Sequence, residues 1–353
     1  MKRYNIDKIM SVGAEINLIY GERTNGKSYQ AKHKLMVEHF LKTGEKFILL
    51  RRWKDEITNS KINEYFTDID VMKITNNKYD SIIMYQRHLY FATVDDNFKV
   101  HRGDHIGYVM VLSQEQIYAS VSILDVENIV YEEFFSRTMY LPDEANKLMN
   151  LYNTIDRKRG KCKLWLIGNT ISRTNPILKS WGLFDYLVKQ KQGTIITIDK
   201  CVNGYEFKIA MEYCESTGNV GLALGDNAAM INTGAWQTSP EPHLEESHLK
   251  SKLIIRIVFS FQHFTFLAEL RKHKTKSYVW FIYPKYTPIK TNTIVICDTP
   301  NESPYMQGDI YNFKYSARLN KLFRETFVEN KIFYATDLCG NEFKSVIPFL
   351  IKK

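Results

Sequence analysis

No run of apolar residues in this 353-residue chain approaches the roughly 18 to 20 that a membrane-crossing helix requires. Residues Met1 to Asp7 lack the apolar core of a secretory signal. The sequence thus predicts no membrane partner and a place in the cytoplasm of the cell where it is made. Cysteine is scarce: Cys162, Cys201, Cys214, Cys297 and Cys339 show none of the short paired spacings of a zinc site or a disulfide framework. Acidic residues are outnumbered, 39 against 48 Lys and Arg, for a net charge of +9. That excess points to a polyanionic partner, because cations that neutralise phosphates gain affinity from the counterions they release. A hydrophobic content of 44% excludes a disordered chain, and the length allows two domains with cores of their own.

Near its start the chain does contain an apolar strand, Ile16 to Tyr20. It runs into Gly21-Glu22-Arg23-Thr24-Asn25-Gly26-Lys27-Ser28, the complete phosphate-binding loop pattern in the context it needs. Gly21 and Gly26 permit the tight backbone path whose N–H groups surround phosphates. A helix expected from Ser28 to about Leu41 adds the positive end of its dipole. Lys27 is spaced to reach the β- and γ-phosphates, and Ser28 to ligand Mg²⁺.

Hydrolysis needs more than this loop. About a hundred residues on, Asn128 to Phe134 is a buried-strand run that includes Glu132 and Glu133. In this layout the first carboxylate organises the Mg²⁺ shell and the second polarises the attacking water. Asp is the usual residue at the first position, so the extra methylene of Glu132 implies a contact to Mg²⁺ through water or from a shifted strand. Lys163 to Asn169 is a further apolar strand, and Asn169 at its end is the candidate sensor of the γ-phosphate. Asp156-Arg157-Lys158-Arg159-Gly160-Lys161 follows an expected helix from Glu144 to Ile155. Ring ATPases use such a loop to deliver an arginine to a neighbour's nucleotide. Arg157 is the first choice and Arg159 the second, with a plain solvated charge run as the alternative. Asn77-Lys78-Tyr79-Asp80 fits a guanine-reading pattern but precedes the Glu132–Glu133 strand, whereas such a loop follows it. It reads as a polar turn, and the base as adenine.

Taken with Gly44 through Arg51, Arg52, Trp53 and Lys54 to Glu56, Leu112-Ser113, Leu148 through Leu151, Gly168 and Asn175-Pro176, these motifs resemble one family. It is the genome-packaging ATPases of small protein-primed tailed phages, the phi-twenty-nine-type DNA encapsidation proteins. The likeness covers nearly all of residues 10 to 180, in order and at near-constant spacing. It implies a P-loop ATPase of the division that carries its own catalytic glutamate, binding ATP with Mg²⁺. The subunits would form a homomeric ring, a pentamer, docked in the host cytoplasm at the portal of a preformed procapsid. The ring would drive double-stranded DNA inward, with a structural RNA left open, and would be absent from the mature virion. The resemblance further implies that Arg157 acts in trans and that Lys54 faces DNA in the channel. A motor that must accept every sequence would contact mainly phosphate, so its DNA affinity would fall steeply between roughly 50 and 200 mM salt.

Residues 1–203 read as alternating strands and helices, an α/β sheet flanked by helices with nucleotide at the strand ends. A β-rich excursion between Tyr79 and Leu112 has expected turns at Asp95-Asp96-Asn97 and Arg102-Gly103-Asp104. Residues 204–250, rich in Gly, Asn, Ser and Pro, read as a linker or lid. Residues 251–353 carry four strands, then a helix from Tyr315 to Glu329 and a short C-terminal pair. For this part the resemblance implies a smaller, ribonuclease-H-like domain. Cleavage there would need several carboxylates around two metals; the first strand has none and Asp298 is a lone candidate, so no nuclease activity is expected. Arg271-Lys272-His273-Lys274, with Lys276, either grips nucleic acid or forms a soluble hairpin tip. Two further readings remain. A ring helicase or conjugation-type DNA pump would unwind forks and not bind a portal. A nucleotide-dependent switch or scaffold would barely turn over, which Glu133 argues against.

Overall fold

The structure, a computed structural model, describes residues 3–119, 121–136, 139–171, 173, 175–219, 221–222, 228–236, 239–243, 251–261, 264–273, 277–284, 294–297, 321, 325 and 331–350. The chain divides into two compact units, Met1–Trp181 with Tyr186–Gln237, and Gly182–Asp185 with Thr238–Lys353.

The first unit is built on nine strands: β1 (Ile16–Gly21), β2 (Lys46–Arg51), β3 (Ser81–Tyr85), β4 (His88–Val94), β5 (Val100–Val111), β6 (Val126–Glu132), β7 (Lys163–Asn169), β8 (Thr194–Val202) and β9 (Tyr205–Tyr213). Their order is β3-β4-β5-β2-β6-β7-β1-β9-β8. From β5 to β9 every neighbouring pair is parallel, and antiparallel strands finish both sides. The parallel strands are continuous apolar runs because helices and loops cover both of their faces; all six residues of β1 are buried, as are Phe47 to Leu50 of β2. Helical backbone runs from Lys27 to Thr43, through Lys27–Gln30, π-helical turns over Ala31–Glu38, and His39–Thr43, where Gly44 at φ 75° ends it. This matches the expected helix after the loop. A second helix, Glu144–Asp156, connects β6 to β7.

Three sequence expectations change. Arg102-Gly103-Asp104 is not a turn but part of the long β5; the tight turn is at Gln86 and Arg87, with φ of 50° and 63°, between β3 and β4. The described residues of the expected lid, 204–250, do not form a unit of their own. Tyr205–Tyr213 is β9, hydrogen-bonded beside β1 with Ile209, Ala210 and Met211 buried, and Ala228–Thr233 is a helix of the same unit. The boundary therefore falls near residue 237 and not 203, because the strand is held by a ladder that composition does not reveal.

The second unit carries β10 (Lys252–Phe261), β11 (Phe264–His273), β12 (Ser277–Pro284), β13 (Ile294–Cys297) and β14 (Ile332–Tyr334), in the order β13-β10-β11-β12-β14. β10, β11 and β12 are antiparallel neighbours, while β13 lies parallel to β10 and β14 parallel to β12. One face packs Ile257, Phe259, Phe266, Trp280 and Ile282 against Phe343 and Val346 of the helix Asp337–Leu350. That helix takes the place of the second member of the expected C-terminal pair. Arg271, expected at a basic hairpin tip, is buried and donates through Nε to Glu269 Oε2 at 2.8 Å. Lys274, Lys276, Asp298 and most of the expected helix Tyr315 to Glu329 lie outside the described residues.

Candidate active site

The parallel strands end together, and the phosphate-loop residues gather at that edge. Gly21 closes β1 in register with Asn169 of β7, and a Cβ at Gly21 would come within 2.9 Å of the Cβ of Cys214. Gly26 sits at φ 100°, a left-handed conformation that favours glycine, immediately before the helix. Arg23 and Thr24 are exposed on the loop, while Glu22 and Asn25 are buried within it.

Each buried side chain has a defined task. Glu22 accepts from Ser216 Oγ at 2.7 Å and Thr217 N at 3.1 Å, so it ties the loop to the chain after β9 and does not face outward. Asn25 Oδ1 accepts from the backbone N–H of Lys27, and its carbonyl accepts from Tyr4 N at 3.0 Å; the Tyr4 hydroxyl then donates to Glu212 at 2.6 Å. Gly234 lies against the loop so closely that a Cβ there would meet Glu22 N at 2.7 Å.

Lys27 Nζ donates to Glu22 O at 2.5 Å, Asn25 Oδ1 at 3.1 Å and Asn169 Oδ1 at 3.3 Å. Burial pushes its ammonium below the ordinary lysine range, and the Glu132 and Glu22 carboxylates act against that shift. The same ammonium thus joins the loop to the end of β7, where phosphate oxygens would take over as acceptors.

Ser28 Oγ donates to Glu132 Oε2 at 3.0 Å, and the Tyr65 hydroxyl donates to Glu132 Oε1 at 2.8 Å. Glu132 ends β6 almost fully buried, and burial raises its carboxyl pKa. Two hard oxygen donors side by side fit a Mg²⁺ ligand set. Glu133 leaves the strand at φ 57° with a side chain that is 63% exposed, and its Oε2 accepts from Arg51 Nη2 at 3.3 Å. Arg51 also donates to Glu56 at 3.1 Å. Beneath it, Arg52 donates from Nε to the buried Glu144 at 3.0 Å, and from its two Nη atoms to the carbonyls of Glu133 and Phe134. Lys54 is exposed on the short turn Lys54–Glu56 that follows β2 at this edge.

The two arginines after the second helix lie elsewhere. Arg157 ends that helix at φ 50°, exposed, with Nη2 donating to Val121 O at 3.2 Å in the chain that leads into β6. It therefore lies at the opposite edge of the sheet from Lys27, about 20 Å away by the length of a strand. Arg159 instead spends its guanidinium on carbonyls of Asp156, Leu124 and Ile155, so it holds its own loop together. Of the expected residues, the structure brings together Lys27, Ser28, Glu132, Glu133 and Asn169, and leaves Arg157 apart. Arg51 and Tyr65 join the site without a local motif of their own; the one sequence signal is the place of Arg51 within a shared motif.

Residues 2–216 match the Podovirus DNA encapsidation protein (Gp16) family, more than half of the chain. The chain belongs to that family. The DNA packaging proteins of Bacillus phages PZA and phi29 are each 30% identical to this family member over 183 residues, 51% of this chain and 50% of theirs. The chain thus spans about half the length of the curated relatives it matches. The solved bacteriophage Phi-29 viral genome packaging motor assembly aligns over 99% of this chain and 100% of its own, with a TM-score of 0.56 and 21% identity, a likeness of fold.

Proposed function

We propose that this encapsidation-family chain is the ATP-hydrolysing subunit of a homomeric ring that drives double-stranded DNA into a preformed procapsid, working at its portal in the host cytoplasm. The observation that carries the reading is the convergence of Lys27, Ser28, Glu132 and Asn169 on one strand edge. Lys27 and the backbone N–H groups of Glu22 to Ser28 bind and orient the phosphates of ATP. Ser28 and Glu132 would hold Mg²⁺, which supplies positive charge against the phosphates during transfer. Glu133 accepts a proton from the attacking water once it is free of Arg51, and Asn169 reports the γ-phosphate to Lys27.

Arg157 lies too far from the phosphate loop of its own chain to serve it, which supports a role in the neighbour's site. Lys54 contacts DNA phosphate. We read the second unit as ribonuclease-H-like and non-cleaving; Glu269, an acid on its second strand, is held between Arg256 and Arg271.

The test is steady-state ATPase, with and without double-stranded DNA, for wild type, Glu133→Gln, Arg157→Ala and a mixture of the two variants. Activity that returns only in the mixture means that the site is shared between copies. Normal hydrolysis by Arg157→Ala with no effect of DNA would leave a nucleotide-binding fold and sink the motor.

A further inference from the structure

Glu132 is one methylene longer than the aspartate usual at its position, so its carboxylate has an extra torsion to fix before it can present an oxygen in one direction. Both of its oxygens are engaged, Oε2 by Ser28 and Oε1 by the Tyr65 hydroxyl, at 3.0 and 2.8 Å. Tyr65 ends the helix Asn59–Tyr65, which is capped at its start by Thr58 and fastened by Asn63 Oδ1 to Met84 N at 2.9 Å.

Its ring is clamped as well. Lys32 Nζ sits 4.5 Å from the ring centroid and donates to Tyr65 O and to Asp68, each at 2.5 Å; the Phe66 ring meets its edge at 5.0 Å. Lys32 stands on the same helical segment as Ser28. One segment therefore fixes both groups that orient Glu132. The ring alone would fill this space as a phenylalanine; the hydroxyl is the part that reaches the carboxylate.

We propose that Tyr65 is a positioning residue whose hydroxyl sets the Glu132 carboxylate to receive, with Ser28, the Mg²⁺ that accompanies the nucleotide. This rests on the reading of Ser28 and Glu132 as the metal side of the site. The experiment titrates Mg²⁺ against binding of a fluorescent, non-hydrolysable ATP analogue to the full chain, with a parallel measurement in EDTA. Tyr65→Phe raises the Mg²⁺ needed for half-saturation about tenfold, the usual cost of losing a group that orients a metal ligand. Binding in EDTA stays unchanged. Lys32→Met, which leaves the hydroxyl present but loosely held, gives a smaller rise in the same direction.

In a Glu132→Gln background Tyr65→Phe adds nothing, because it acts through that carboxylate. An unchanged Mg²⁺ requirement in Tyr65→Phe, a shift that persists in Glu132→Gln, or an equal loss of binding in EDTA overturns the proposal. A wild-type chain whose nucleotide binding ignores Mg²⁺ overturns the metal reading itself, and is recognised before any variant is measured.

Discussion

Arg51 Nη2 stands 3.3 Å from Glu133 Oε2, so the exposed carboxylate in the position of a general base is paired with a cation from the neighbouring element. The bond engages the same carboxylate oxygen that would otherwise be open to a water. Glu133→Gln is expected to lower kcat about 10²- to 10⁴-fold, the usual weight of a general base, with nucleotide affinity little changed. Arg51→Ala releases the carboxylate, so turnover without DNA rises severalfold while the stimulation by DNA shrinks. Assays with and without double-stranded DNA check both; a fall in DNA-free turnover would mean that Arg51 serves the nucleotide directly.

Arg52 and Glu144 form a buried pair whose side chains are 4% and 0% exposed. Removing one partner strands the other charge, so Arg52→Ala should cost about 3–5 kcal/mol of stability. Denaturant unfolding reads this directly, and a loss under about 1 kcal/mol would mean that water reaches Glu144.

Burial raises the pKa of Glu212, with the Tyr4 hydroxyl bond opposing the shift. The folded protein then keeps this proton to higher pH than the unfolded chain. Its contribution favours folding below the unfolded pKa and is lost as pH rises through the folded one. Glu212→Gln, which can still accept from Tyr4, should therefore melt higher than wild type at pH 8, with the gap closing toward pH 4. Thermal melts across that range check the sign, and a gap that widens on acidification refutes it.

The two arginines after the second helix separate cleanly. Arg159→Ala removes donors from several carbonyls and should lower the melting temperature by several degrees, at about 1 kcal/mol per lost bond. Arg157→Ala should leave melting unchanged while turnover falls in assembled protein.

Cys162, Cys214 and Cys339 are buried, and burial pushes each thiol up to about 12. At pH 8 their thiolate fractions are on the order of 10⁻⁴, so of these three and the exposed Cys201 a thiol reagent should find Cys201 first. Cys201→Ser should remove the fast labelling at that position, followed by mass spectrometry of the labelled peptides; fast labelling of Cys214 would mean that the chain beside β1 opens readily.

The sequence made the phosphate loop and the Glu132–Glu133 strand legible because each is a short contiguous pattern with its own chemistry. The contacts that tune them were not legible. Arg51 meets Glu133 across 82 residues and Tyr65 meets Glu132 across 67, and no local pattern records which partner a side chain will find. Gly103 between Arg102 and Asp104 looked like a turn, yet it sits within β5 where a Cβ would lie 2.2 Å from the Tyr79 ring. Its absent side chain serves packing and not a bend. The polar composition after residue 204 likewise concealed β9, whose place is fixed by hydrogen bonds to β1.

Arg157 at one sheet edge and Lys27 at the other give the first unit a polarity: it offers a cation at one end and a phosphate cradle at the other. Copies that met through these ends would associate head to tail, and an open pair joined in this way would leave one cradle and one cation unmatched. In an open row of n copies, n − 1 cradles would be completed. Under the proposed trans role of Arg157, closure would complete the last one and give every copy in the circuit the same site.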